Sequence, residues 1–352
     1  MEKGSNKFIG YIGTYTKGDS KGVYSFTLDT EAPSIGEVKV AAELDSPTYL
    51  TISEDNKNLY AVAKEEDQGG VAAFALDEQT GELTFLNTQT ASGANPCHVS
   101  VDSQKKNVVT ANYHTTAVKS FLTKEDGSLE AEISAVEHEG SGPHERQEKP
   151  HLHFAGYSPD EKYVIAVDLG SDKIYTYEVN NGELKQVQVL STKAGSGPRH
   201  IAFHPNGKFA YVMTELSSEV IVLAYNAEDG SFKELQYIST IPEDFSENNQ
   251  GSAIHITSDG RFIYVGNRGH DSIASYRIDQ ETGRLEFAAF TPTEGDWPRD
   301  FVLDPTEKFV VASNQNSSNL VLYTRNEETG ALTLVQSDIH VPDPVCVKFL
   351  HA

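Results

Sequence analysis

The sequence predicts an all-β fold, a seven-bladed β-propeller with four antiparallel strands in each blade. Three observations carry this prediction. A strand pattern recurs about every 50 residues, no long stretch carries a helical period, and the two chain ends each supply part of one further unit.

Each whole unit opens at or near a proline with an alternating strand. An apolar strand ending in polar residues follows, then a third strand, a Gly-containing turn and a fourth strand. Pro47–Ser53 leads to Leu59–Lys64, Val71–Asp77 and the turn at Thr80-Gly81. Pro198–His204 leads to Phe209–Glu215 and Val220–Tyr225. Ser252–Thr257 leads to Phe262–Arg268, Ile273–Asp279 and Thr282-Gly283, and Pro298–Asp304 leads to Phe309–Gln315, Leu320–Tyr323 and Thr329-Gly330. Pro96 and Leu152 open the other two whole units. A parallel α/β fold would need crossover helices, which the pattern lacks, and a two-sheet sandwich has no reason to repeat unit by unit.

The chain ends complete the ring. Pro344–Leu350 matches only a first strand, whereas Phe8–Tyr15 and Gly22–Leu28 match only a second and a third. One blade is therefore expected to draw on both termini, which removes an exposed sheet edge. Length alone suggests two cores, but stacked repeats need only bury their faces on their neighbours. A single domain over residues 1–352 is expected.

The chain carries 52 acidic against 28 basic residues, a formal net charge of −24. Such a surface repels nucleic acid and anionic lipid, so neither is expected as a partner. No apolar run is long enough to span a bilayer. Met1–Phe8 lacks the apolar core of a signal peptide, so a cytoplasmic location is expected. With only Cys97 and Cys346, a disulfide scaffold and a cysteine-rich metal site are both excluded.

In a propeller blade, the start of the first strand and the end of the second lie at the same face, where repeats can differ without harming the fold. The residue after each opening position reads Thr48, Cys97, His153, Arg199, Ala253, Arg299 and Val345. The residue ending each second strand reads Tyr15, Lys64, Tyr113, Leu169, Glu215, Arg268 and Gln315, preceded in four blades by Asn112, Asp168, Asn267 and Asn314. An acidic protein thus gathers three arginines on one rim, as recognition of an anion requires.

His153 is suited to general acid–base work near neutral pH, with Glu215 sharing the proton or orienting a water or an arginine. Arg199 and Arg268 suit a carboxylate, a phosphate or an oxyanion forming on a carbonyl. Together these groups fit lactone hydrolysis by direct attack of water, since no nucleophile elbow is present. Substrate contact is assigned to Arg299, His151, Asn112, Asp168 and Asn267. The competing structural readings are an Arg199–Glu215 ion pair, inter-blade hydrogen bonds from His200, His204 and His255, and ordered water on the Asn112, Asp168, Asn267 and Asn314 ring. His151 and His153 share a strand face but lack an obvious third metal ligand, so no metal is assigned. Two longer connections, Glu137–Lys149 and Pro242–Gln250, are expected to overhang the mouth, with His138 and His144 solvated.

The residues also carry a resemblance. Gly13–Thr16, His153 with Ser158–Asp160, Asp168–Asp172, Gly197–His200, Glu215-Leu216, Ile254–Ile256 with Asp259-Gly260, Asn267-Arg268, Pro298-Arg299 and Pro342–Pro344 stand in the order found in the bacterial lactonase family. The resemblance spans essentially the whole chain. That family includes propeller-type 6-phosphogluconolactonases and is related to the fungal carboxymuconate lactonizing enzymes. It implies a seven-bladed fold, hydrolysis of 6-phospho-D-glucono-1,5-lactone in the pentose phosphate pathway, and no metal or organic cofactor. By motif, the catalytic set of the fungal relatives falls on His153, Arg199, Glu215 and Arg268, with His151 an alternative for the histidine. The expected partner is a small anionic lactone. Carboxymuconate-type cycloisomerisation and ligand binding without turnover are the competing functions.

Overall fold

Apolar alternation and regularly spaced turns produce the expected strands. A computed structural model describes residues 6–352, and these form seven antiparallel sheets. The second sheet is built from Leu50–Ile52, Asn58–Glu65, Gln68–Leu76 and Leu83–Ser92. The third consists of His98–Val101, Asn107–Ala111, Ala117–Thr123 and Leu129–Glu137, and the fourth of Leu152–Tyr157, Tyr163–Asp168, Lys173–Asn180 and Glu183–Ser191. Pro198–Phe203, Phe209–Thr214, Glu219–Asn226 and Ser231–Ser239 make the fifth. The sixth comprises Gln250–Ile256, Phe262–Arg268, Ser272–Ile278 and Leu285–Pro292, and the seventh Pro298–Leu303, Phe309–Asn314, Asn319–Arg325 and Leu332–His340.

The first sheet joins the two termini, as the repeat requires. Pro344–Phe349 pairs antiparallel with Lys7–Thr14, which pairs in turn with Gly22–Asp29. Its outer strand departs from the repeat: it is broken into Ser34–Ile35 and Lys39–Glu43, both paired to Gly22–Asp29.

The chain packs as two compact units. One holds the first, second and seventh sheets. The other, Val109–Ser120 with Ile133–Pro292, holds the fourth, fifth and sixth. In both, second strands are buried on both faces while fourth strands alternate toward solvent, as in Tyr163–Asp168 against Glu183–Ser191. The apolar residues collect between consecutive sheets. Ile165, Val167 and Ile174 meet Val212, Ile221 and Leu223, while Tyr211, Met213 and Val222 meet Ile263, Val265 and Tyr276. Each such side chain removed from water contributes roughly 1.5–3 kcal/mol.

A repeated polar stitch crosses these interfaces. The buried hydroxyls of Tyr11, Tyr60 and Tyr211 donate to the carbonyls of Gly81, Gly127 and Gly283 in the next sheet at 2.8–2.9 Å. Thr176 does the same to Gly230 at 2.8 Å, and Ser120 donates to Gly182. Gly283 adopts φ +70°, and a Cβ there would lie 2.5 Å from the Phe209 ring, so the turn needs glycine on both counts. Burial raises the phenols of Tyr11, Tyr60 and Tyr211, which remain donors at any working pH.

Candidate active site

A local irregularity places the key side chains. In the fourth sheet Leu152 pairs with Asp168 and Phe154 with Val167, which makes His153 the extra residue of a β-bulge. Arg199 is the extra residue in the fifth sheet, between the pairs Pro198–Thr214 and His200–Met213. Arg299 holds the same place in the seventh. A bulged residue leaves the sheet's alternation and is re-aimed. In these three sheets the variable residue after the opening position is therefore a bulge residue.

The centre of the site is a carboxylate held by three guanidinium groups. Glu215, the first residue past Phe209–Thr214, is buried. Its Oε2 accepts from Arg199 Nε at 3.1 Å and lies 2.8 Å from Arg268 Nη2. Its Oε1 accepts from Arg146 Nη2 at 2.5 Å. Burial opposes the charged form, but Arg268, Arg199, His153 and Arg146 together hold the Glu215 carboxyl well below the usual carboxylate range. A carboxylate so held is a poor proton acceptor. Of the roles expected for Glu215, this setting favours orienting the arginines over sharing a proton.

The backbone locks this arrangement. Glu215 N donates to Gly197 O at 2.7 Å, and Glu215 O accepts from Gly251 N at 3.2 Å, tying the fifth sheet to the sixth. Arg268 donates from Nε to Gln250 O at 3.3 Å and from Nη2 to Gly251 O at 2.7 Å. A Cβ on Gly251 would stand 2.2 Å from Thr214 O, so only glycine lets these backbones approach so closely. The first two residues of Gln250–Ile256 thus support Arg268 directly.

His153 is the histidine of the cluster. It is buried, edge-on to Tyr113 at 5.9 Å and to His200 at 5.2 Å between ring centroids, and it is electrostatically coupled to Glu215. His151 is committed elsewhere. It stacks on Tyr113 at 4.1 Å, its Nδ1 lies 2.7 Å from Tyr113 O, and its Nε2 lies 3.1 Å from Glu148 Oε1.

Arg146 is the functional residue that the sequence reading missed. It comes from the longer connection before the fourth sheet, and its second contact is a 3.4 Å hydrogen bond donated to the Tyr113 hydroxyl. The adjacent Gln147 is fully buried and anchors the segment, donating from Nε2 to Leu169 O at 2.8 Å and to Asp172 Oδ1 at 2.7 Å. Asp172 also accepts from the amides of Gly195 and Gly197 at 2.7 and 2.8 Å, so one carboxylate fixes the segments leading to both Arg146 and Arg199. A lone arginine within a long connection at the mouth was the available signal.

Other expected contacts have structural duties instead. Asp168, fully buried, accepts from the amides of His151, Gly170 and Ser171 and from the Ser171 hydroxyl. Burial raises its pKa, but His138, Ser171 and the His151 amide pull it below the ordinary value. Asn112 accepts from the amides of His114 and Thr115 at 3.0 and 2.9 Å. Asn267 exchanges hydrogen bonds with Thr240 and receives one from Asn249, and Asn314 donates to Thr293 O. Asn112 and Asp168 thus close the turns that follow their strands, while Asn267 and Asn314 tie theirs to the connections that precede the same sheets. Asn112, Asp168 and Asn267, expected to contact substrate, carry hydrogen bonds within the protein. Arg299 lies in the other unit, its guanidinium 5.3 Å over the Tyr15 ring. His138 is buried rather than solvated, 2.5 Å from the Tyr177 hydroxyl, while His144 is exposed. His204 bridges the fifth and sixth sheets through Gly260 O at 3.1 Å, as expected. Among the described residues, no three His, Cys, Asp or Glu side chains converge as metal ligands.

The geometry has close relatives. The chain is 58% identical over 345 residues to the 6-phosphogluconolactonase of Bacillus subtilis strain 168, covering 98% of this chain and 99% of the relative. A solved structure from Lactobacillus plantarum superposes with a TM-score of 0.95 at 41% identity, covering 98% of this chain and all of the other. The periplasmic gluconolactonase of Pseudomonas aeruginosa superposes with a TM-score of 0.93 at 30% identity, covering 98% and 99%. The profile described as "Lactonase, 7-bladed beta-propeller" matches residues 9–349. With six four-stranded sheets and a seventh shared by the two termini, the chain belongs to the lactonase family of seven-bladed β-propellers.

Proposed function

We propose that this chain hydrolyses a sugar lactone, 6-phospho-D-glucono-1,5-lactone, to 6-phosphogluconate. The observation that carries the reading is the cationic cluster on Glu215: three arginines and one carboxylate beside His153, in a protein of net charge −24. Such a local reversal of charge favours an anionic substrate and an oxyanion. The 58% identical relative carries the name of this activity.

In the proposed reaction His153 takes a proton from water as the oxygen attacks the ester carbonyl. The electron pair moves onto the carbonyl oxygen, where Arg199 and Arg268, each with five N–H donors, stabilise the tetrahedral oxyanion. Collapse breaks the bond to the ring oxygen, which receives the proton back from His153, leaving a carboxylic acid that ionises and a free hydroxyl. Glu215 stays charged throughout and holds the two buried guanidinium groups in place.

A phosphorylated sugar is a dianion that the bilayer excludes, which supports a cytoplasmic site of action. Among the described residues no helix is long and apolar enough to cross a membrane.

The test is consumption of phosphorylated and unphosphorylated gluconolactone by purified protein, with Arg268→Ala as control. Turnover well above the spontaneous rate, lost in the folded variant, supports the proposal. Ligand binding without turnover would reassign the protein as a binding propeller.

A further inference from the structure

Arg146 differs from the two arginines beside it. Arg199 and Arg268 project from strand residues and keep only 4% of their side-chain surface exposed, whereas Arg146 comes from a connection and keeps 33%. Arg268 is further held by two backbone carbonyls, but Arg146 rests on Glu215 and on a long bond to Tyr113. Glu215 divides its oxygens accordingly: Oε2 serves Arg199 and Arg268, and Oε1 serves Arg146. Arg146 can therefore leave while the buried carboxylate keeps two cations. The backbone beneath it does not have to move, because Gln147 is anchored on Leu169 O and Asp172.

We infer that Arg146 is a specificity-determining residue, whose guanidinium exchanges Glu215 for the phosphoryl group of the substrate. A phosphoryl dianion offers a guanidinium two parallel acceptors and more charge than one carboxylate oxygen already shared within a cationic cluster. In this lactone the phosphoryl group hangs from the exocyclic carbon next to the ring carbon that carries the ester oxygen, so it projects beside the ester carbonyl, as the arginines that share Glu215 stand beside one another. The outermost arginine then meets the phosphoryl group while the two buried ones face the reacting carbonyl. The inference rests on the lactonase reading above and names the feature by which the site selects its substrate.

The experiment is calorimetric binding of 6-phosphogluconate and of unphosphorylated gluconate to the wild type, Arg146→Ala and Arg146→Lys, with melting curves to confirm folding. Loss of a hydrogen-bonded charge predicts that Arg146→Ala weakens 6-phosphogluconate about 10- to 100-fold. Gluconate binding should stay within about twofold, and Arg146→Lys, which keeps the charge without the fork, should fall between. Kinetically, Arg146→Ala should raise KM for the phosphorylated lactone with kcat nearly unchanged. Equal weakening of both ligands, or no weakening of either, overturns the inference, as does a wild type that does not prefer the phosphorylated ligand. An intact contrast in binding without any lactone turnover would remove the hydrolase reading and leave the phosphoryl role of Arg146 standing.

Discussion

Replacing Glu215 by glutamine keeps the shape of the side chain and removes the single negative charge at the centre of the cluster. Three guanidinium groups then face one another, two of them almost fully buried. Breaking a buried pair by removing one partner costs roughly 3–5 kcal/mol, because an uncompensated charge is left behind. The Arg146 contact adds little, since a third of that side chain already faces water. At about 2.1 cal/mol/K per residue, a chain of 352 residues loses roughly 4–7 °C of melting temperature for that change. The variant should also be rescued by anions. Inorganic phosphate at about 100 times its Kd restores roughly 2.7 kcal/mol to whatever folded state binds it, and Glu215→Gln should gain more from it than the wild type. Differential scanning calorimetry in a phosphate series reads both effects. A variant that melts within about 1 °C of the wild type, with no added response to phosphate, would refute the view that Glu215 is the counter-ion organising the site.

Further outcomes follow from the same geometry. His153→Gln should lower kcat by about 10²- to 10⁴-fold with an unchanged melting curve, as loss of a general base does; retained turnover would move the proton chemistry to another group. Arg268→Ala should lower kcat/KM for the lactone by about 10²- to 10³-fold in a folded protein, and full activity would remove Arg268 from the mechanism. Glu215 has a depressed folded-state pKa, so its stabilisation is fully present above its unfolded value near about 4.3 and is lost only as pH falls through the lower folded value. The melting difference between wild type and Glu215→Gln should thus be flat from pH 5 to 8 and shrink below about pH 4. A difference that closes near pH 6 would show that Glu215 titrates in the working range, contrary to its three-arginine setting.

The repeat determined the architecture because blade packing is local and periodic. Alternation, turn glycines and the split terminal unit specify four strands per sheet and a first sheet that Pro344–Phe349 completes. His153, Arg199, Glu215 and Arg268 were legible for the same reason: once the units are aligned, residues that break the pattern at one end of the blades stand out, and the structure gathers His153, Arg199 and Arg268 around Glu215. Arg146 and Gln147 were not legible as site residues, since a connection outside the repeat has no aligned counterpart and its path depends on what it packs against. Nor does residue type tell a polar side chain that meets a ligand from one that closes a turn. Asn112, Asp168 and Asn267 stand in a rim column of the sequence, yet the amides and side chains of neighbouring loops take up their polar atoms. The charge state of Glu215 likewise depends on the tertiary fold, in which arginines from three separate stretches of chain converge on one buried carboxylate and keep it charged.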